Sequence, residues 1–283
     1  MAMAATAKKK SESDRFCSSP DLLHHHPSLT KLKIGICQMR VSGEKKENLK
    51  HARSLIQVAA KQGANLVLLP EMWVCPYTEE DMAKNAEDFD DEKGASSPTL
   101  EMLSEVAGRL SITIIGGSLP ERCKGELYNT CPIFGADGKL IAKHRKEMQV
   151  HLFDANFLGE FCFMESHIFA AGDKPTIVDT EVGRIGIGIC HDIRFPELAT
   201  FYRDKGVCLI AYPGAFNIST GESLWELVQR GRAADNQCGE IIASCGHEEN
   251  VMIAEIDYSQ LHILRKGLPL FKQRREDVYS QHN

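Results

Sequence analysis

The sequence contains no apolar run near the about 20 residues that a membrane-spanning helix needs. Its best apolar runs, Ser111–Gly117 and Val207–Tyr212, have the length of strands. A signal peptide with an apolar core is also missing, and 10 cysteines in 283 residues are too few for a disulfide scaffold. We therefore expect a protein that does not cross a membrane and that keeps its thiols reduced, as in the cytoplasm.

Clustered basic residues are missing as well, because 33 Lys+Arg stand against 39 Asp+Glu and the net charge is -6. This balance excludes nucleic acid as the main partner. No cysteine pair has C-x-x-C spacing, and Cys238, Cys245 and His247 lack a fourth ligand at zinc-site spacing. Phosphate-binding and dinucleotide-binding glycine motifs are absent too. We expect neither a structural metal nor a cofactor.

The chain divides into a tail and one domain. Residues 1–30 carry lysine, serine and histidine runs with few apolar residues, which is typical of a disordered tail. A plastid or mitochondrial transit peptide is the alternative, although three acidic residues in this stretch weaken it. Residues 31–283 are predicted to fold, because 43% of the chain is hydrophobic and can supply a sizeable core.

Hydrophobic periodicity predicts alternating strands and helices in the first half of the domain. Leu32–Met39 alternates like a strand, Glu44–Gln62 has the spacing of an amphipathic helix, and Asn65–Pro70 is typical of a strand buried on both faces. A helix over Pro98–Leu110 then leads into a strand at Ser111–Gly117. This alternation predicts a layered α/β fold.

The second half of the domain continues with hairpins and helices. The predicted elements are a hairpin through Ala136–Gly138, a hairpin of Thr176–Asp179 with Arg184–Cys190, a helix from Pro196 to about Lys205, a strand at Cys208–Tyr212, a helix at Leu224–Asn236 and a hairpin of Glu240–Ser244 with Val251–Ile256.

Three side chains could carry chemistry together. Cys190 ends a glycine-interleaved strand just before a helix, where backbone N–H groups favour a thiolate nucleophile; a buried cysteine packing as a small hydrophobe is the alternative. Glu71 follows an apolar strand, where desolvation suits a general base, but it could instead stabilise a helix N-terminus. Lys146 could be a surface charge or a fixed cation that stabilises an oxyanion.

Several separated motifs together resemble the nitrilase superfamily of carbon–nitrogen hydrolases. They are LLPEMW around Glu71, HRK at Lys146, HLFD at His151–Asp154, FMES at Phe163–Ser166, GICHDIRFPE at Gly188–Glu197, YPGAFN at Tyr212–Asn217 and RAADNQ at Arg232–Gln237. Within that superfamily, HLFD, FMES and YPGAFN are most similar to the ω-amidases. The resemblance covers about Leu32 to Arg275 and implies a four-layer α-β-β-α sandwich.

The resemblance also implies a Glu–Lys–Cys triad of Glu71, Lys146 and Cys190, with Glu165 as a second glutamate of the site. Such an enzyme hydrolyses the terminal amide of short 2-oxo dicarboxylate monoamides, such as 2-oxoglutaramate and 2-oxosuccinamate, through a cysteine thioester and without a cofactor. Arg194 would bind the distal carboxylate, since an arginine fork suits it. An ion pair of Arg194 with Asp192 or Glu197 is the alternative.

Two further residues complete the implied substrate site. Phe216 would line the pocket, with a place in the core as the alternative. His191 stands where tyrosine is usual among close relatives, and its backbone N–H would help to hold the oxyanion. The resemblance further implies a homodimer or higher homo-oligomer, and we expect Pro269–Tyr279 to take part in its contacts.

The sequence departs from the family pattern at two further places. Residues 147–149 are extra beside Lys146. After Gln237 the chain continues directly into Cys238, where the family has about two more strands, so the second sheet is predicted to be incomplete. These departures keep a second hypothesis open, a catalytically impaired member that acts by assembly with other subunits. Among enzymes, a deaminated-glutathione amidase and an N-carbamoyl amidase are the alternatives.

Overall fold

The computed structural model describes residues 31–90, 97–146, 154–157, 161–236 and 240–273, together with Arg275 and Val278. The expected tail at residues 1–30, the extra residues 147–149 and the junction between Gln237 and Cys238 lie outside these ranges.

A seven-stranded mixed sheet forms the first layer of strands. Its members are β1 (Lys31–Gln38), β2 (Leu66–Leu68), β3 (Thr113–Ile115), β4 (Leu119–Cys123), β5 (Glu126–Phe134), β6 (Leu140–Arg145) and β12 (Asn250–Asp257). The order is β12-β1-β2-β3-β5-β4, and β6 pairs with β5. The parallel strands β1, β2 and β3 end side by side, so the residues after β2 and β3 lie at one edge of the sheet.

A smaller second sheet has the order β11-β10-β9. Its strands are β9 (Thr176–Thr180), β10 (Gly183–Ile187) and β11 (Leu209–Ala211). Two further strands, β7 (Asp154–Phe157) and β8 (Phe161–Met164), pair only with each other among the described strands. In the described part of the chain the second sheet therefore has three strands against the seven of the first, in agreement with the incomplete sheet predicted from the sequence.

The described ranges also contain seven helices. They are α1 (Lys45–Lys61), α2 (Glu79–Asn85), α3 (Pro98–Leu110), α4 (Pro196–Asp204), α5 (Ile218–Asp235), α6 (Tyr258–Gly267) and α7 (Leu270–Gln273). Single 3-10 turns occupy Glu165–His167 and Cys190–Arg194. None of the helices in the described ranges combines the length and the apolarity of a membrane span.

The core lies in three apolar layers between these elements. Ile56 of α1 and Val106 of α3 pack on the outer face of the first sheet. The two sheets meet through their inner faces, where Ile133 and Ile187 belong to one buried cluster. On the far side, Tyr202 of α4 packs on the second sheet. The layers therefore run α-β-β-α, which confirms the expected sandwich.

Most predicted elements are present, and the helix at Pro98–Leu110 has the expected bounds. The predicted last hairpin is wrong. Glu240–Ser244 forms no strand. Its expected partner, Val251–Ile256, lies in β12, which pairs antiparallel with the whole of β1. The helix expected from Leu224 begins six residues earlier, at Ile218, because Asn217 caps it by accepting from the Thr220 N–H at 2.8 Å.

Candidate active site

Glu71 lies just after β2, in a loop that the connection between β3 and β4 holds in place. Its side chain is only 3% exposed. The Ser118 N–H donates to the Pro70 carbonyl at 3.0 Å, and the Ser118 hydroxyl accepts from the Met72 N–H at 3.2 Å. Met72 has a left-handed φ of 51°, so the chain turns sharply directly after Glu71. The buried carboxylate is therefore fixed by its backbone neighbours on both sides.

Gly117 makes this close approach of two loops possible. Its φ is +66°, and a Cβ at this position would lie 2.1 Å from the Pro70 carbonyl oxygen. The neighbouring Gly116 carbonyl accepts from the Trp73 indole at 2.8 Å, which ties the same two loops together. Any residue with a side chain at Gly117 would push the Glu71 loop away from the sheet.

Lys146 follows β6 and places its ammonium group between two carboxylates. Its Nζ lies 3.1 Å from Glu71 Oε1 and 2.9 Å from Glu165, and the lysine is 1% exposed. Burial alone would lower the pKa of Lys146, but the two carboxylates outweigh it and raise that pKa well above its usual value. Lys146 is therefore a permanent buried cation at neutral pH.

Two residues that the sequence analysis did not single out connect the glutamates. The Asn129 side-chain amide of β5 donates to Glu71 at 2.9 Å and to Glu165 at 3.4 Å. The Tyr77 hydroxyl donates to Glu71 at 3.4 Å and to Glu165 at 3.3 Å. Asn129 could have been noticed as a buried amide in a largely apolar strand, whereas no local pattern marks Tyr77.

Cys190 is the first residue of the 3-10 turn that follows β10. Its φ of 46° is left-handed, a conformation that a non-glycine residue adopts only when its surroundings enforce it. Its N–H donates to the Pro213 carbonyl at 2.7 Å, and the side chain is half-buried. Glu71 forms a hydrogen bond with the thiol, and the Ala215 N–H contacts both the sulfur and Glu71 Oε2. Glu71 thus joins Lys146 to Cys190.

The surroundings of Cys190 favour the thiol over the thiolate that its position before a helix suggested. Burial and the Glu71 carboxylate raise the pKa of this thiol well above its usual value, and Lys146 only partly opposes them. The 3-10 turn that starts at Cys190 has only five residues. It is too short for its dipole to lower the pKa of the thiol as a long helix would. The resting site therefore holds a protonated thiol next to a carboxylate that can accept its proton.

A third buried carboxylate, Glu121, holds the strand that leads to Lys146. Glu121 of β4 is fully buried and accepts from Arg145 at 2.6 and 2.7 Å, from Lys143 at 2.9 Å and from Thr130 at 2.7 Å. Arg145 and Lys143 lie on β6, directly before the active lysine. These charge-assisted bonds hold the end of β6 and hence the backbone of Lys146.

The same carboxylate belongs to the group that most resembles a metal site in the described residues. Ligand atoms of Asp90, Glu121 and Cys123 lie within 4.8 Å of one another. However, Lys143 bridges Asp90 and Glu121 at 2.8 and 2.9 Å, and Arg145 occupies the remaining Glu121 oxygen. Cationic side chains therefore already neutralise this cluster, and its geometry gives no reason to place a metal there.

Arg194 and Phe216 lie close to the nucleophile's turn. Arg194 ends the turn that Cys190 begins, and its guanidinium lies 5.7 Å from the centre of the Phe216 ring. Phe216 in turn contacts the Trp225 indole edge to face, with ring centres 5.1 Å apart. The structure therefore arranges a cation and two aromatic rings beside Cys190, with Trp225 contributed by α5.

His191 directly follows Cys190 and stays neutral at physiological pH. Its ring contacts Phe195 edge to face at 5.5 Å. Burial, together with the nearby cations Lys146 and Arg194, lowers the pKa of His191 to about 4. The imidazole can therefore donate or accept one hydrogen bond, but it adds no charge to the site.

A groove of about 1210 Å³ opens beside Cys190. Cys190, Gly214, Phe216 and Trp225 all line it. Gly214 lies between Cys190 and the Trp225 indole. A Cβ at this position would be 3.7 Å from the Cys190 Cα and 3.5 Å from the Trp225 ring. A substrate can therefore reach the sulfur from this side.

Comparison with known protein families gives a match over most of the chain. The carbon–nitrogen hydrolase family matches residues 33–238. The chloroplastic omega-amidase of Arabidopsis thaliana is 51% identical, over 89% of this chain and 75% of that protein. Omega-amidase NIT2 of Bos taurus is 41% identical, over 89% of this chain and 98% of that protein.

Solved structures agree with these sequence relatives. Nit3 of Saccharomyces cerevisiae, a nitrilase superfamily member, superposes with a TM-score of 0.77 at 33% identity, covering 91% of this chain and all of that one. The alignment with the Arabidopsis relative has 280 positions. It includes only 89% of this 283-residue chain, which is fewer residues than the alignment has positions. That relative therefore has positions without a counterpart here.

Proposed function

Because this chain belongs to the carbon–nitrogen hydrolase family, we propose that it is an ω-amidase-like enzyme. It removes the terminal amide of short 2-oxo dicarboxylate monoamides, such as 2-oxoglutaramate and 2-oxosuccinamate, as ammonia. One observation carries the proposal: the buried Glu71 carboxylate bonds both to the Lys146 ammonium, at 3.1 Å, and to the Cys190 thiol.

Acylation would begin with proton transfer. Glu71 accepts the thiol proton while the Cys190 sulfur attacks the amide carbonyl, so no free thiolate is needed beforehand. The Lys146 ammonium and the backbone N–H of His191 stabilise the negative oxygen of the tetrahedral intermediate. Glu71 then returns the proton to the leaving nitrogen, and ammonia departs from a thioester.

Deacylation would reverse these roles. Glu71 takes a proton from water, which attacks the thioester carbonyl, and the sulfur leaves as the thiol after receiving that proton. Glu165 keeps Lys146 charged and oriented through its 2.9 Å contact. Asn129 and Tyr77 hold both glutamates at fixed separation, so the base stays aligned through the cycle.

Arg194 would select the acidic substrate. Its guanidinium beside Phe216 can bind a carboxylate bidentately, while Phe216 covers the carbon chain. The neutral His191 imidazole adds polarity without attracting a second anion. We also propose a cytoplasmic location, as expected for a protein with reduced thiols.

The test is ammonia release from 2-oxoglutaramate by the purified chain and by the Cys190→Ala variant. Activity in the wild type alone supports the proposal, and equal inertness of both refutes it. Arg194→Gln should reduce kcat/KM on the order of 10- to 100-fold, mainly through KM, because a charged hydrogen-bond pair is lost. Arg53→Gln, which removes a distant surface pair with Glu105, should leave both constants unchanged.

A further inference from the structure

The groove beside Cys190 has a much larger volume than a short dicarboxylate needs. Its volume of about 1210 Å³ exceeds the usual 300–1,000 Å³ of small-molecule sites. The nucleophile lies among its lining residues together with Trp225. Away from Cys190 the apolar part of the lining, called the aliphatic wall below, comes from both sheets: Ile34, Ile36, Leu66, Leu68, Ile115 and Ala211. Charged side chains line the groove as well, among them Arg203, Arg232, Glu255 and Arg265.

Two residues of this wall, Ile36 of β1 and Leu68 of β2, belong to a part of the first sheet's inner face that is only partly covered. The described second sheet has three strands, so side chains of β1 and β2 such as Ile36 and Leu68 remain only half-buried. The opposite side is formed by α5 and α6, whose Trp225 and Leu264 are 45% and 48% exposed. Apolar surface of this kind favours an apolar occupant.

We propose that the groove binds linear saturated acyl chains and that the enzyme hydrolyses their primary amides. The argument rests on the Cys190 chemistry proposed above, but not on the 2-oxo dicarboxylate as substrate. A carbonyl carbon held at the sulfur places the following methylene groups in the space that Cys190 shares with the aliphatic wall. The apolar chain supplies binding energy that a short polar amide cannot obtain there.

The reaction is balanced without any further reagent. The sulfur forms a bond to the carbonyl carbon, the C–N bond breaks, and the thiol proton passes through Glu71 to the nitrogen, which leaves as ammonia. Water then forms the new C–O bond, the C–S bond breaks, and one water proton restores the thiol. The sum is one primary amide and one water converted to one carboxylic acid and one ammonia.

The experiment is a chain-length series of saturated primary amides from butanamide to dodecanamide, with ammonia release as readout and Cys190→Ala as the inactive control. Each methylene buried in the groove should raise kcat/KM up to about fourfold. A series that is flat or falls with length overturns the proposal.

A matched pair of variants tests whether the groove causes this dependence. Leu264 lines the groove and is 48% exposed, whereas Leu227 on α5 is 64% exposed and is not among the lining residues. Leu264→Asp should abolish the gain from long chains, while Leu227→Asp should keep the chain-length dependence of the wild type. Equal effects of the two substitutions contradict a groove-bound chain.

A binding measurement separates this inference from the proposed ω-amidase activity. Dodecanoate should change the fluorescence of Trp225 saturably in the Cys190→Ala variant, because the other tryptophan, Trp73, is fully buried. Cleavage of 2-oxoglutaramate without any length dependence or dodecanoate binding overturns the inference alone. Length-dependent cleavage without 2-oxoglutaramate turnover supports it and refutes the proposed substrate. If dodecanoate binds but no long-chain amide is hydrolysed, the groove is confirmed as a binding site and the proposed hydrolysis of these amides is overturned.

Discussion

Replacing Lys146 by methionine would leave two buried carboxylates facing each other without their cation. The ammonium lies 3.1 Å from Glu71 and 2.9 Å from Glu165, and all three groups are at most 3% exposed. The variant keeps the length of the side chain, so the loss of charge dominates over the loss of packing. We expect a strongly destabilised and inactive protein.

The size of the effect follows from burial. Removing one partner of a buried ion pair costs about 3–5 kcal/mol, a large part of the about 5–15 kcal/mol that a domain has. The pKa of Lys146 is raised well above its usual 10.5 by folding. Its contribution is therefore fully present below pH 10.5 and is lost only as the pH rises through the raised folded-state value. At pH 7 the whole effect is measurable.

The assay is urea unfolding at pH 7 with two controls. The variant Lys146→Met with Glu71→Gln and Glu165→Gln carries no buried charge at the site, so it should recover most of the lost free energy while remaining inactive. Lys139→Met removes a surface pair whose lysine is 79% exposed and should change the free energy of unfolding by at most about 0.5 kcal/mol.

Two results would refute this reasoning. A loss below about 1 kcal/mol in Lys146→Met would mean that the ion pairs are solvated like surface pairs. A neutralised triple variant as unstable as the single one would mean that packing, and not unpaired charge, determines the cost.

Four further outcomes are expected. Gly117→Ala should lower the free energy of unfolding by at least about 2 kcal/mol, because alanine is strained at a left-handed φ and its Cβ would clash with the Pro70 carbonyl. Gly43→Ala should change this free energy little, because a Cβ there has nothing within 4 Å. Urea unfolding of the two variants compares them. Because the pKa of His191 is about 4, His191→Gln should leave the shape of the kcat/KM profile unchanged between pH 5 and 8, and loss of an ionisation near pH 6.5 would contradict this. The raised pKa of Cys190 means that its alkylation by iodoacetamide, followed by mass spectrometry, should still accelerate above pH 9; a plateau below pH 8 would disprove a protonated resting thiol. Size-exclusion chromatography with light scattering should show a homo-oligomer that truncation of Pro269–Tyr279 weakens, and a monomer would rule this out.

The regular elements were predictable where one periodicity extends over many residues. The helix at Pro98–Leu110 combines an apolar stripe with proline at its start, and local rules suffice for it. β12 was predicted to pair with Glu240–Ser244 because that segment is its neighbour in sequence. Its actual partner is β1, more than two hundred residues away, and no local pattern encodes a pairing of that kind.

The site shows the same division between local and distant information. Glu71, Lys146 and Cys190 could be selected because each follows a recognisable strand or belongs to a motif. Asn129 and Tyr77 could not, since their importance lies in contacts with two glutamates that the fold brings to them. The protonation of the thiol could not be derived from the local sequence either, because it depends on burial and on Glu71, which is distant in the chain.

The short strand β11 has a practical consequence for preparing this protein. Among the described strands it is one of the two outer members of its sheet, and its sequence Leu-Ile-Ala carries no charge. An uncharged edge of this kind offers open backbone donors and acceptors to any other polypeptide. Concentrated samples should therefore form intermolecular β-structure on warming.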